Sequence, residues 1–191
     1  MTDNTNRCSW CLGFPEYIRY HDTEWGVPSY DDLHQFEMLI LEGAQAGLSW
    51  ATVLKKREGY REAFDEFDPE KIALYDEEKI ESLLQNPAII RNRLKVKSTV
   101  TNARAFLKIV ESRRSFSDYM WQFTDGKPIM NRFKLLDEIP AKTEQSDRMS
   151  KQLKRDGFKF IGSTICYAHM QATGMVNDHL VNCFRYGDIT G

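Results

Sequence analysis

The residues best placed to do chemistry lie in the run Leu41-Glu42-Gly43-Ala44-Gln45-Ala46-Gly47-Leu48-Ser49-Trp50. Glu42 stands there in apolar company, with Ile40, Leu41, Gly43, Ala44 and Ala46 around it. Burying such a carboxylate unpaired costs roughly several kcal/mol, so it must find a partner or shift its pKa. Gly43 and Gly47 separate it from Trp50, and an acid can face an indole across such a turn. That pairing suits a flat, electron-poor ligand. The plainer reading is a solvated acid and a core tryptophan.

A second constellation sits at the two ends of the chain. Asn177-Asp178 reads as the cap of a last short helix, on which His179 and Cys183, four apart, share a face. Cys8 and His21 supply a matching soft pair, giving a closed Cys2His2 set of the kind that holds one structural zinc and ties the termini together. Cys8-x-x-Cys11 also has metal-knuckle spacing, so Cys11 is a rival ligand, and simple burial of the thiols is a further reading. A zinc hydrolase built on His21 and His179 would need an open coordination position, which four protein ligands do not leave. His34 and His169 have no companion ligands and read as structural.

Helices must position these groups. Asp31 or Asp32 can cap a helix carrying Leu33, Phe36, Leu39 and Ile40, which ends near Glu42. Ser49 can cap a second, carrying Trp50, Val53, Leu54, Arg57 and Phe64. Asp68-Pro69 and Asp76 open two more, Asn86-Pro87 is a break, and Val96, Val100, Ala103, Leu107 and Val110 mark a long amphipathic helix. A helical hairpin near 83–110 follows. Phe116 to Phe123 is a further stripe, residues 127–143 read as loop, and helices are expected from Ser146 to Gly157 and from Gly162 to Gly174. Gly162-Ser163-Thr164, at a helix start, offers an anion-binding arrangement. Strand-like alternation is scarce, so the expected fold class is all-α.

Composition sets the frame. The 191 residues are 41% hydrophobic and 28% charged, which permits one compact unit with a substantial core. No apolar run reaches membrane-spanning length and the first residues carry no signal-like segment, so a cytoplasmic protein without a membrane partner is expected. A net charge of −2 does not by itself call for a polyanion. The positive charge is nevertheless clustered in Lys55-Lys56-Arg57, in Arg91, Arg93, Lys95 and Lys97, and around Lys151 to Lys159. Such patches can grip phosphates or simply face water.

Tyr20-His21-Asp22-x-Glu24-Trp25-Gly26-Val27-Pro28, Leu41-Glu42-Gly43-x-Gln45-Ala46-Gly47-Leu48-Ser49-Trp50, Lys55-Lys56-Arg57 and Gly157-Phe158-Lys159-Phe160-x-Gly162-x-Thr164 through Val176-Asn177-Asp178-His179 together resemble the 3-methyladenine DNA glycosylase I family. The resemblance runs in order over nearly the whole chain. It implies a helix-hairpin-helix glycosylase fold: a helical core over 31–174, and segments 1–30 and 175–191 clasped by zinc. It implies excision of N3-methyladenine from alkylated double-stranded DNA by hydrolysis of the N-glycosidic bond, without strand cleavage. A monomer is expected separately, since the sequence carries no coiled coil or apolar tail that calls for a partner.

Carried over residue by residue, the zinc ligands fall on Cys8, His21, His179 and Cys183, leaving Cys11 out. The catalytic acid falls on Glu42, and the base pocket on Tyr20 and Trp50 with Trp10, Tyr17 and Trp25 beside them. Gly47 and Leu48 fall at the gap left in the duplex. Apart from the resemblance, the basic clusters and the helix start at Gly162 put Arg91, Arg93, Lys159, Ser163 and Thr164 on the DNA as an expectation. Two features depart from the wider superfamily. The hairpin Ile90 to Lys95 lacks a glycine-rich turn, and no catalytic aspartate or nucleophilic lysine has a counterpart. The competing reading is a zinc-stabilised module that binds DNA without turnover.

Overall fold

The structure, a computed structural model, describes residues 5–189. After a 3-10 turn at Ser9–Cys11, the helices are α1 (Pro15–Thr23), α2 (Asp32–Gln45), α3 (Trp50–Leu54), α4 (Arg57–Ala63), α5 (Pro69–Ala73), α6 (Glu77–Gln85) and α7 (Arg93–Arg113). They continue as α8 (Phe116–Trp121), α9 (Glu144–Arg155), α10 (Ser163–Ala172) and α11 (Phe184–Asp188). A two-residue parallel pairing of β1 (Ile129–Met130) with β2 (Val176–Asn177) is the departure from a wholly helical fold among the described residues. No helix among them is long and apolar enough to cross a membrane.

Helix α2 is the centre of the molecule. Every residue from Gln35 to Ala44 is buried, because α3, α7, α8 and α10 pack around it. Of its two candidate caps, Asp31 takes the role, accepting from the His34 N–H at 2.7 Å. Asp32 instead reaches across to α8, accepting from the backbone N–H groups of Phe116 and Ser117 and from the Ser115 hydroxyl. It satisfies donors that a helix start leaves orphaned.

The helix expected to run from Trp50 to Phe64 breaks at Lys55-Lys56 into α3 and α4. Ser49 does cap α3, accepting from Thr52 N–H. The break turns Arg57 inward, where it donates to Glu37 and to Glu24 at 2.8 and 2.7 Å. Lys56 donates to the Pro87 carbonyl, and Lys55 lies over the Phe14 ring. That basic triplet thus holds the fold together and is not a free phosphate patch. Gly59 makes the join between α4 and the α6–α7 connection possible: a Cβ there would lie 2.6 Å from that of Ala88.

The hairpin expected near 83–110 is α6, the connection 86–92, and α7. Asn92 caps α7 by accepting from Lys95 N–H. Arg93 is bound to Glu81 and Glu77, and Lys97 to Glu77, so the two helices are stapled by charge. Helix α9 starts two residues before the expected Ser146, because Thr143 and Ser146 form a reciprocal capping box. The segment expected as loop, 127–143, holds β1 and a 3-10 turn at Leu136–Glu138.

Candidate functional site

The last turn of α2 delivers Glu42 to the floor of a cavity of about 370 Å³, lined by Trp10, Tyr17, Tyr20, Trp25, Gln45, Trp50, Leu136, Ile139, Ala168 and Gln171. That volume falls within the range of about 300–1,000 Å³ typical of small-molecule sites. All six residues expected at the base pocket therefore meet around one space. Tyr20 comes from α1 and Trp50 from the start of α3, their ring centroids 5.4 Å apart. Trp10 packs at 5.0 Å from Tyr17 and 4.9 Å from Trp25.

Glu42 is only 3% exposed and its Oε2 has no hydrogen-bond partner. Burial alone pushes its carboxyl up to about 8. The Trp50 indole Nε1, also buried, is unpartnered as well. Buried polar groups normally find partners, so two orphans beside one cavity mark a site awaiting a polar ligand. Tyr20 is pushed well above the usual phenol range by burial and then by Glu42. A cation entering this space would meet electron-rich ring faces and an acid that its charge would ionise.

Beyond Glu42 the chain turns through Gly47, whose φ of +78° only glycine adopts without strain, and presents Leu48 at 44% exposure. The turn is held from the hairpin: Lys95 Nζ donates to the carbonyls of Ala44 and Ala46, at 2.8 and 2.7 Å. The sequence puts Lys95 in a basic hairpin and gives no sign of this role, which depends on a contact 51 residues away.

The four expected metal ligands converge. Cys8, His21, His179 and Cys183 are all buried, with their ligand atoms within 4.8 Å of one another. Cys183 Sγ lies 3.5 Å from His21 Nε2 and 3.6 Å from His179 Nδ1, and Cys8 Sγ lies 3.8 Å from His179 Nδ1. Tetrahedral zinc with ordinary bond lengths separates sulfur from nitrogen by about 3.5 Å, so the residues fit such an ion. Each imidazole has its outer nitrogen engaged, His21 Nδ1 with Asp22 at 2.7 Å and His179 Nε2 with the Trp25 carbonyl at 3.0 Å. Metal-binding histidines are held in this way. The hydrogen bond between the thiols pulls Cys183 down and pushes Cys8 up. Cys11 is turned away, donating its thiol hydrogen to the Cys8 carbonyl.

One expectation is corrected here. His179 and Cys183 do not ride on a helix; α11 begins only at Phe184, with Cys183 before it. The carboxamide of Asn177 accepts from His179 N–H and shapes a turn instead. Asp178 caps nothing and is buried among side-chain donors. His169, buried and paired with Gln35, is pushed down to about 3 by burial and stays neutral, as a structural histidine should.

The expected DNA contacts divide. Gly47, Leu48, Arg91, Lys159 and Thr164 are exposed. Lys159 rides on a strap whose backbone is gripped twice by the Asn102 carboxamide. Arg93 is engaged with Glu81. Asp147, on α9, is held low by its hydrogen bond to Ser163, so a carboxylate already stands at that helix start.

An unpaired acid caged by aromatic rings at the end of a buried helix sets this fold apart from a plain bundle, and the chain as a whole has relatives. The chain belongs to the methyladenine glycosylase family, which it matches over residues 10–186. It is 52% identical over 180 residues to DNA-3-methyladenine glycosylase 1 of Escherichia coli K12, covering 94% of this chain and 96% of that one. It is 51% identical to DNA-3-methyladenine glycosylase of Haemophilus influenzae Rd, covering 94% and 97%. Among solved structures it superposes on a 3-methyladenine DNA glycosylase I with a TM-score of 0.92 at 54% identity, covering 93% and 98% of the two chains. A structure describing 3-methyladenine recognition by the Staphylococcus aureus glycosylase I gives 0.90 at 37% identity, covering 93% and 95%.

Proposed function

We propose that this protein is a DNA-repair glycosylase that flips N3-methyladenine out of alkylated duplex DNA and hydrolyses its N-glycosidic bond. The free base is released and the strand is left intact. The observation that carries the reading is Glu42, buried and unpaired on the floor of an aromatic cavity.

Methylation at N3 makes the adenine cationic, which weakens its glycosidic bond and lets the base leave neutral. The protein then needs recognition more than strong acid catalysis. Tyr20 and Trp50 offer π faces, and cation–π attraction contributes roughly 0.5–2 kcal/mol. The cation draws Glu42 into its charged form, and a charge-assisted hydrogen bond to the base edge follows. Neutral adenine cannot do this, and it remains in the stack because flipping costs about a few kcal/mol.

The helical core 31–174 would carry the DNA, with α6 and α7 as a helix-hairpin-helix element, Leu48 filling the vacated space and Arg91, Lys159 and Thr164 on the backbone. Arg93 and Ser163 would reach phosphate only by leaving their present partners. One structural zinc on Cys8, His21, His179 and Cys183 would clasp segments 1–30 and 175–191. When bound, it would supply cross-linking and no reaction chemistry. This reading includes a monomer working in the cytoplasm on the nucleoid.

The test is chromatographic release of methylated bases from alkylated DNA. Wild type should release 3-methyladenine, and Glu42→Gln should lose most of that activity while keeping its affinity for undamaged DNA. Binding without release by the wild type would favour the non-enzymatic DNA-binding module.

A further inference from the structure

A cage of electron-rich rings around one acid selects for flatness and positive charge. Other methylated purines share both properties, 7-methylguanine among them. Telling adenine from guanine takes a group with a fixed hydrogen-bonding direction. Such a group stands on the α10 wall.

Gln171 lines the same cavity. Its backbone carbonyl accepts from Gly26 N–H at 3.0 Å, which keeps it beside Trp25. Its side-chain Nε2 donates to Asp178 Oδ2 at 2.7 Å. Asp178 is 1% exposed and takes two further donors at 2.7 Å, the Tyr167 hydroxyl on Oδ2 and Asn131 Nδ2 on Oδ1. Gln171 Nε2 is thereby committed to Asp178, and the amide cannot turn over without setting its own oxygen against one that already accepts from Tyr167. Asn131 is brought there by the strand pairing, its N–H, one residue past β1, bonded to the carbonyl of Asn177 at the end of β2. The pairing thus serves as a buttress for one amide.

We propose that Gln171 is the specificity-determining residue of this pocket, its Oε1 held as an acceptor for the exocyclic amino group on C6 of adenine. The oxygen at C6 of guanine would meet it lone pair to lone pair. This inference rests on the base-pocket reading above and adds to it which purine is taken.

The test compares free 3-methyladenine with 3-methylhypoxanthine, which carries an oxygen in place of the amino group at C6. Binding is followed by quenching of the pocket tryptophans. Wild type should bind 3-methyladenine about tenfold more tightly or better, since a matched hydrogen bond is replaced by two facing acceptors. Gln171→Met, which keeps the length and removes the acceptor, should bring the two within about threefold. Gln171→Asn, which withdraws the amide by one methylene, should narrow the gap in the same sense and stands in if the first variant does not fold. In release assays the ratio of 3-methyladenine to 7-methylguanine should fall in parallel. A gap that persists in both variants while 3-methyladenine still binds overturns the role of Gln171 alone. A wild type that binds neither base overturns the pocket reading and this inference with it.

Discussion

The carbonyl of Trp25 accepts from His179 Nε2 at 3.0 Å, so a wall of the aromatic cavity also orients one of the four side chains of the Cys2His2 cluster. The two rings are themselves in edge contact, 4.6 Å between centroids, and Trp10 touches His21 in the same manner at 5.3 Å. The Cys2His2 cluster and the aromatic cavity are therefore one packed unit. Elemental analysis should find one zinc per chain. Its removal should lower the melting temperature by about 10 °C or more, as expected for losing several kcal/mol in a protein of this size. Binding of 3-methyladenine should weaken at temperatures where the stripped protein is still folded. His179→Ala with unchanged metal content and unchanged melting would defeat the clasp.

Glu42 gives a signature in stability against pH. Burial raises it from an ordinary 4.5 to about 8. Between those values the folded chain keeps a proton that the unfolded chain has lost, so stability declines as pH rises through this window. Glu42→Gln removes the decline. The melting temperature of the variant relative to wild type should therefore climb from pH 4.5 to about 8 and then level off, the free-energy gap growing by at most about 1.4 kcal/mol per pH unit. A constant difference across that range would mean that Glu42 is solvated.

Much of this was legible in the chain because it is local. Ser49, Asp68 and Asp76 cap the helices their positions suggested, since a cap reaches only two or three residues ahead. The helix–turn–helix passage that sets Glu42 opposite Trp50 is of the same kind. Long-range partners were not legible. Nothing near Leu136, Ile139 or Gln171 announces that they share a cavity with Glu42, and the lysines and arginines of the hairpin look alike in sequence. Only the fold assigns Arg93 to Glu81 and Lys95 to the end of α2. His179 and Cys183 do come together, through an Asn177 turn where helical spacing was the reason given.

As the proposed wedge, Leu48 lets recognition of the base be tested apart from access to it. It is exposed on a turn and lines no part of the cavity. Leu48→Ala should leave the melting temperature and the affinity for free 3-methyladenine unchanged. Release from duplex DNA should fall by roughly tenfold, because an apolar wedge offsets unstacking worth about a few kcal/mol. Single-stranded alkylated DNA, with less stacking to overcome, should show a smaller loss. Equal losses on both substrates would remove Leu48 from the role of wedge.

Lys95 joins α7 to the turn that carries Leu48. Its ammonium sits on two carbonyls at the end of α2, where the helix dipole is negative, an arrangement worth up to about 2 kcal/mol when partly buried. Burial lowers its pKa, which marks an ammonium drawn out of water. Lys95→Met should therefore cost about 1–2 kcal/mol of stability, readable in a urea melt. It should also loosen Ala46, Gly47 and Leu48, visible as faster amide exchange confined to that turn. Since the same lysine holds the turn against α7, excision should fall on duplex DNA while free-base affinity stays within about twofold, the alkyl stem being kept. If amide exchange at the turn is unaltered and only the salt dependence of DNA binding changes, Lys95 is a phosphate contact and the turn is held by its own hydrogen bonds.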